Sequence, residues 1–154
     1  MTALRKTCMA LAVAGLAAML VAGCNISGAK NEYVDTVNAI QTDALQAVNE
    51  STTSEPNTKA EVIEQLESAE RILADTVTEL EAVDVPEEVE AGHPKLVAGI
   101  DDMRALFAKT AEKAQAASNT EAFTERTKLV AESTAIRAEI KAAITQINQD
   151  LGAE

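Results

Sequence analysis

Residues 89–117 of this chain read VEAGHPKLVAGIDDMRALFAKTAEKAQAA. Along this stretch, apolar and small side chains return at steps of four and three residues: Val89, His93, Leu96, Ile100, Met103, Phe107, Thr110, Ala114 and Ala117. That spacing places one continuous seam on one face of an α-helix. The stretch therefore predicts a long amphipathic helix that packs against neighbouring helices through this seam.

Three further stretches show the same helical periodicity, and none shows convincing strand alternation. The first covers about residues 30–50, with Tyr33, Val37, Ile40, Ala44 and Val48 on one face. The second follows Pro56 and carries Val62, Leu66, Ala69, Leu73, Val77 and Leu80. The last carries Phe123, Val130, Ile136, Ile140, Ile144, Ile147 and Leu151. Four amphipathic helices with short connections favour an all-α, up-and-down antiparallel four-helix bundle over residues 30–154.

Two short polar stretches mark where helices begin. Thr58 to Glu61 and Ser118 to Glu121 both fit the capping-box pattern, in which two side chains satisfy otherwise unpaired backbone N–H groups. Asp84 and Glu87 are interpreted as a similar capping pair, with Pro86 in the first helical turn. These signals place the starts of the second, third and fourth helices.

The first residues form a secretion leader. Arg5 and Lys6 precede an apolar run from Met9 to Ala22, which ends in small residues. The run has only 14 residues, whereas a membrane-spanning helix needs about 20 predominantly apolar residues. A cleaved signal peptide is therefore favoured over a permanent transmembrane segment.

The end of this leader, Leu20-Val21-Ala22-Gly23-Cys24, resembles the lipobox of bacterial lipoproteins. In that family the cysteine thiol receives a diacylglyceryl group with acyl chains such as palmitate, and a peptidase then cleaves just before the cysteine. The resemblance implies cleavage between Gly23 and Cys24, a signal peptide over residues 1–23, and a lipidated Cys24 with a short tether over residues 24–29. Two acyl chains give stable anchoring, whereas one binds reversibly. An ordinary signal peptide or a short membrane anchor remains the alternative.

The resemblance also implies a location. A lipid on Cys24 would hold the domain in the cell envelope, on the extracytoplasmic side of a membrane. In an organism with one membrane this is the plasma membrane; in one with two, Asn25 after the cysteine permits export to the outer membrane. Because five residues span at most about 18 Å, the domain would lie close to the bilayer.

Net charge excludes two kinds of partner. The chain carries 25 acidic and 13 basic residues, for a formal charge of -12, and loss of Arg5 and Lys6 with the leader takes it to -14. Such a surface repels nucleic acid, whose binding requires neutralised phosphates, and it repels anionic lipid headgroups. Attachment to the membrane is therefore expected through the lipid on Cys24 rather than through charge.

Few residues of the sequence are candidates for metal or cofactor binding. The segment Glu90-Ala91-Gly92-His93 has the Glu-x-x-His spacing of di-iron bundles, but those sites need two such pairs and His93 is the only histidine. Pro94 follows it, so His93 is expected near a helix start with one local hydrogen bond. Haem ligation by His93 with Met103 fails because ten helical residues span about 15 Å. No metal and no cofactor are expected.

Arg137 and a run of acidic residues are the other candidate binding sites. Arg137 lies among apolar residues and, with His93 and Tyr33, could line a small-ligand pocket between helices; more often such an arginine keeps its head in water. The acidic residues between Asp75 and Glu90 lack the loop pattern that organises calcium ligands. They are interpreted as a solvated face, with weak cation binding as the lesser alternative.

Two functions from different classes remain. The sequence has no phosphate-binding loop and no nucleophile elbow, so an enzyme is not expected. The stretch Leu80 to Leu96 loosely resembles small helical-bundle lipoproteins of uncharacterised function. The favoured function is a non-enzymatic interaction or structural module with a protein or cell-wall partner, and its oligomeric state is left open. The alternative is a small-ligand or cation sensor, which vacant space beside Tyr33, His93 or Arg137 would favour.

Overall fold

The computed structural model describes residue 20 and residues 28–152, and this part of the chain forms four α-helices. In chain order they are α1 (Ala29–Thr52), α2 (Lys59–Glu81), α3 (His93–Ala116) and α4 (Asn119–Leu151), with a short 3₁₀ turn at Glu87–Val89. Those described residues contain no strand. The prediction of an all-α fold is confirmed.

The helices pack in chain order. α1 packs on α2, α2 on α3 and α3 on α4, while α2 also approaches α4 at a smaller contact. Short connections make consecutive helices antiparallel, as the prediction of an up-and-down bundle requires. The backbones of α1 and α4 make no extensive contact, so the bundle is less tightly closed on that side.

Aliphatic side chains fill the interior. Most of the seam residues predicted from the sequence are buried, with Val37, Leu66, Leu80, Leu96, Ile100, Ile140 and Ile147 each fully inaccessible to solvent. The prediction is wrong for the first half of α4, where Phe123, Val130 and Ile136 are only half-buried and the buried face is formed by Ala122, Leu129 and Ser133. Burial of one such side chain stabilises the fold by about 1.5–3 kcal/mol. No described helix has both the length and the apolar character required to cross a bilayer.

Caps fix the helix ends at the face of the bundle formed by the α1–α2 and α3–α4 connections. The Thr58 hydroxyl accepts a hydrogen bond from the Glu61 N–H, and Ser118 and Glu121 form the predicted capping box. Lys59 adds a cap that the sequence did not predict, because its Nζ donates to the carbonyl oxygens of Gln115 and Ala117 at 2.7 and 2.6 Å. The start of α2 thereby caps the end of α3.

The start of α3 differs from the prediction. The seam from Val89 onward predicted one continuous helix, but Val89 belongs to the 3₁₀ turn and α3 begins at His93. Pro94 sits in the first turn of α3, where its missing N–H costs nothing. The predicted capping pair of Asp84 and Glu87 is wrong, because Pro86 precedes the 3₁₀ turn with no side-chain cap.

Glycines let α3 and α4 approach closely. A Cβ added at Gly92 would lie 2.7 Å from Cγ1 of Ile147, and one added at Gly99 would lie 2.7 Å from Cγ1 of Ile140. Both contacts are shorter than any ordinary carbon–carbon contact. The two glycines, two helical turns apart, therefore set the distance and the register between these helices.

Candidate functional site

A buried tyrosine–histidine pair lies at the end of the bundle where α1 begins. The Tyr33 hydroxyl lies 3.0 Å from Nδ1 of His93, and Nε2 of His93 lies 3.0 Å from the carbonyl oxygen of Leu80. Because a carbonyl only accepts, Nε2 must carry the imidazole proton, and Nδ1 must accept from the tyrosine hydroxyl. The three groups form one chain of hydrogen bonds, from Tyr33 through His93 to Leu80.

The pair joins three helices. Tyr33 is in the first turns of α1, Leu80 is in the last turn of α2, and His93 is the first residue of α3. The Leu80 carbonyl oxygen accepts from the N–H of Val83 at 3.2 Å, and its second lone pair is free to accept from His93. The site is therefore assembled from helix ends that meet only in the folded bundle.

Burial keeps both side chains neutral. Tyr33 is 2% exposed and His93 is 5% exposed. Desolvation lowers the pKa of His93, opposed by its hydrogen bond with Leu80, and desolvation raises the pKa of Tyr33. The rings meet edge to face, with centroids 5.6 Å apart. A neutral imidazole with both nitrogens engaged has no lone pair left for a metal or a substrate.

A groove of about 580 Å³ runs beside the pair, between the start of α1 and the segment that follows α2. Tyr33 lines it together with the carboxylates Glu32, Glu79 and Asp84 and the apolar side chains of Val83 and Val85. In the described part of the chain, no three acidic, histidine or cysteine side chains are grouped closely enough to hold a metal ion. The groove is open, and acidic at its walls.

The structure separates Arg137 from the other two predicted pocket residues. Gly92, next to His93, faces Ile147 of α4, and ten helical residues, or roughly 15 Å, separate Ile147 from Arg137. Within α4, Arg137 donates to the carbonyl oxygen of Val130 and to the hydroxyl of Thr134. A pocket shared by Tyr33, His93 and Arg137 is therefore not formed, although the first two residues do meet.

His93 also departs from the expected local role. In place of one local hydrogen bond, it makes two contacts with residues 60 and 13 positions away. The apolar spacing of the seam placed His93 correctly on the buried face of α3. The hydrogen-bond partners of His93 could not be predicted in the same way. Nothing in the sequence around Tyr33 indicates that its hydroxyl contacts a histidine in α3.

The contact between Leu20 and Asn38 was also not predicted from the sequence. The Leu20 N–H donates to Oδ1 of Asn38 at 2.8 Å, and Nδ2 of Asn38 donates to the Leu20 carbonyl oxygen at 2.9 Å. Leu20 is 3% exposed and belongs to the buried apolar cluster. An asparagine at a half-buried helix position is common, so nothing in the sequence distinguished Asn38.

The predicted lipidation and cleavage residues, Gly23 and Cys24, lie outside the described residues, as do Val21 and Ala22 of the lipobox. Comparisons of the chain with known protein families, with characterised proteins and with solved structures found no match.

Proposed function

We propose that this protein is a bacterial lipoprotein, attached to the extracytoplasmic face of a membrane through lipid on Cys24, and that its bundle is a non-enzymatic interaction module. The leader and the lipobox support the anchor. The position of α1 agrees with them, because it begins at Ala29, five residues after Cys24. A lipid there would hold the Tyr33–His93 end of the bundle close to the bilayer.

The observation that carries the proposed module is that the polar groups of the one buried tyrosine–histidine pair are engaged with each other and with Leu80. Aliphatic side chains fill the core around them. Such an interior favours a structural role over a catalytic one, because catalytic acids and bases need a free lone pair or proton in a cleft. A partner would then meet the acidic outer surface of the helices.

A small-ligand or cation sensor is the second candidate, and the groove beside Tyr33 favours it. Three carboxylates line that groove, and carboxylate oxygens are the ligands that calcium prefers. Because the three are not grouped closely enough to hold one ion together, only weak binding, at millimolar calcium, is expected. If the groove binds calcium, the melting temperature of the wild-type protein rises with millimolar calcium, whereas that of the Glu32→Gln, Asp84→Asn double variant does not. An equal response in both proteins argues against the sensor.

The anchor is tested by the intact mass of the protein extracted from its membrane. We expect the mass of residues 24–154 plus a diacylglyceryl group, with or without a further acyl chain. The Cys24→Ala variant keeps the leader and gains no lipid, because both processing steps act at that cysteine. An unmodified wild-type mass would refute the anchor and leave the bundle as a secreted or membrane-inserted domain.

A further inference from the structure

Asn38 holds both main-chain groups of one residue. Its side-chain oxygen accepts from the N–H of Leu20 and its nitrogen donates to the carbonyl oxygen of Leu20. Both hydrogen bonds are to main-chain atoms, so the pairing does not depend on the identity of the side chain. The side chain of Leu20 is buried at the same time, in the apolar cluster that includes Val34 and Val37. Proteins recognise extended peptides in the same way, by hydrogen bonds to the main chain together with a pocket for a side chain.

A second polar side chain on the same face of α1 is buried without a partner. Gln41 is 3% exposed, and within the described part of the chain neither its Nε2 nor its Oε1 makes a hydrogen bond. Spacings of four and three residues place Val34, Asn38 and Gln41 on one side of the helix. Buried amides are normally satisfied, so this side of α1 has an unused donor and an unused acceptor, one turn from Asn38.

Among the described helices, only α2 packs extensively against α1. Leu20 is therefore bound to a helix against which one other described helix packs extensively. We use the term Leu20 seat for Val34, Val37, Asn38 and Gln41.

We propose that the Leu20 seat is a binding site for an extended apolar segment of a partner polypeptide, with one aliphatic side chain buried and its main chain paired with Asn38. The proposal rests on the proposed lipoprotein processing, because cleavage before Cys24 removes Leu20 and leaves the seat open in the mature protein. In the precursor Leu20 occupies the seat in cis; in the mature protein the partner segment takes its place.

The chemistry of the seat describes the partner. One leucine-like side chain fits the apolar part, and a free main-chain N–H and C=O at that residue are required by Asn38. A residue further along the same segment can satisfy Gln41. Because the mature chain carries a large negative charge, basic residues flanking the apolar segment speed association. Proline at the bound position is excluded, since it has no N–H.

The test uses the lipidated mature protein in detergent and a synthetic peptide of residues 16–23, extended by two lysines, with photoleucine at the Leu20 position. We expect irradiation to label α1 between residues 34 and 41, as mapped by mass spectrometry. Loss of two hydrogen bonds in Asn38→Leu lowers that labelling about tenfold or more. The matched control is Asn49→Leu, since Asn49 is an exposed amide on the same helix, and it labels as the wild type does.

Each other outcome overturns the proposal. Labelling spread over the surface, or equal labelling of the wild type and Asn38→Leu, shows partition into the detergent and no specific seat. Labelling of α1 only in a lipid-free Cys24→Ser mature chain shows that the protein's own acyl chain fills the seat. Intact mass separates these failures from failure of the proposed function: a lipidated, cleaved protein that is not labelled refutes the seat alone, whereas an uncleaved chain refutes the processing on which the seat depends.

Discussion

His93 is held neutral inside the bundle by burial and by two hydrogen bonds that use the neutral tautomer. Protonation would place a proton on Nδ1, which now accepts from Tyr33. The Tyr33 hydroxyl would then have to rotate and accept a hydrogen bond from Nδ1. Its own proton, which now binds Nδ1, would be left without an acceptor. A single residue thus links the packing of three helices to pH.

We expect stability to fall in mild acid because of this residue. The pKa of His93 is lowered in the folded protein from the ordinary 6.5, so the unfolded chain takes up the proton first as the pH falls. The stability is fully present above pH 6.5 and is lost as the pH drops towards the folded pKa. The loss is at most about 1.4 kcal/mol for each pH unit. Urea unfolding at pH 7.5, 6.5 and 5.5 measures it.

The control for this prediction is His93→Gln, which has a donor and an acceptor but does not titrate. Its free energy of unfolding is lower at every pH and changes little between pH 6.5 and 5.5. Glu88, Glu121 and Glu125, whose pKa values are lowered from 4.5 mainly by side-chain hydrogen bonds, titrate below that window. An equal acid slope in the wild type and the variant would remove His93 as the cause.

At the scale of elements, the helices and the caps followed from the sequence because they depend on local spacing. The seam over residues 89–117 and the capping box at Ser118 needed only neighbours three or four positions away. The break before His93 was missed, because the same apolar spacing continues through the 3₁₀ turn at Glu87–Val89. Contacts between elements, such as Lys59 on the end of α3 or Tyr33 on His93, depend on the packing of helices, which spacing does not encode.

The close packing of α3 on α4 predicts a coupled pair of substitutions. Gly99→Ala places a Cβ 2.7 Å from Cγ1 of Ile140. Overpacking of this kind costs about 1–3 kcal/mol, and the better helix propensity of alanine returns about 1 kcal/mol. We expect a net destabilisation of up to about 2 kcal/mol, measured by urea unfolding.

The same substitution should behave differently when the opposing side chain is removed. In an Ile140→Ala background the Cγ1 atom is absent, so Gly99→Ala becomes neutral or stabilising by up to about 1 kcal/mol. The double-mutant cycle then gives a coupling free energy of about 1–3 kcal/mol. Additive effects of the two substitutions would show that the helices shift apart freely and that Gly99 does not set their distance.

At the scale of the whole molecule, the order of folding and processing matters. Leu20 belongs to the predicted lipobox and is also held against α1 through Asn38. If the proposed lipidation is correct, a precursor that folds first presents its lipobox to the processing enzymes only after Leu20 leaves the seat. Lipidation and cleavage are then expected before the bundle folds, while the leader is still extended.

This order can be measured with purified precursor and bacterial membranes that contain the processing enzymes. Precursor diluted from urea directly into the membranes should be converted several-fold faster than precursor allowed to fold beforehand, as followed by the shift of the band on a gel. Asn38→Leu should remove most of that difference, because the folded variant releases Leu20 about tenfold more readily without its two hydrogen bonds. Asn49→Leu, exposed on the same helix, should behave as the wild type. Equal conversion of folded and unfolded wild-type precursor would mean that the seat does not protect the lipobox, since release of Leu20 would then be fast compared with lipidation.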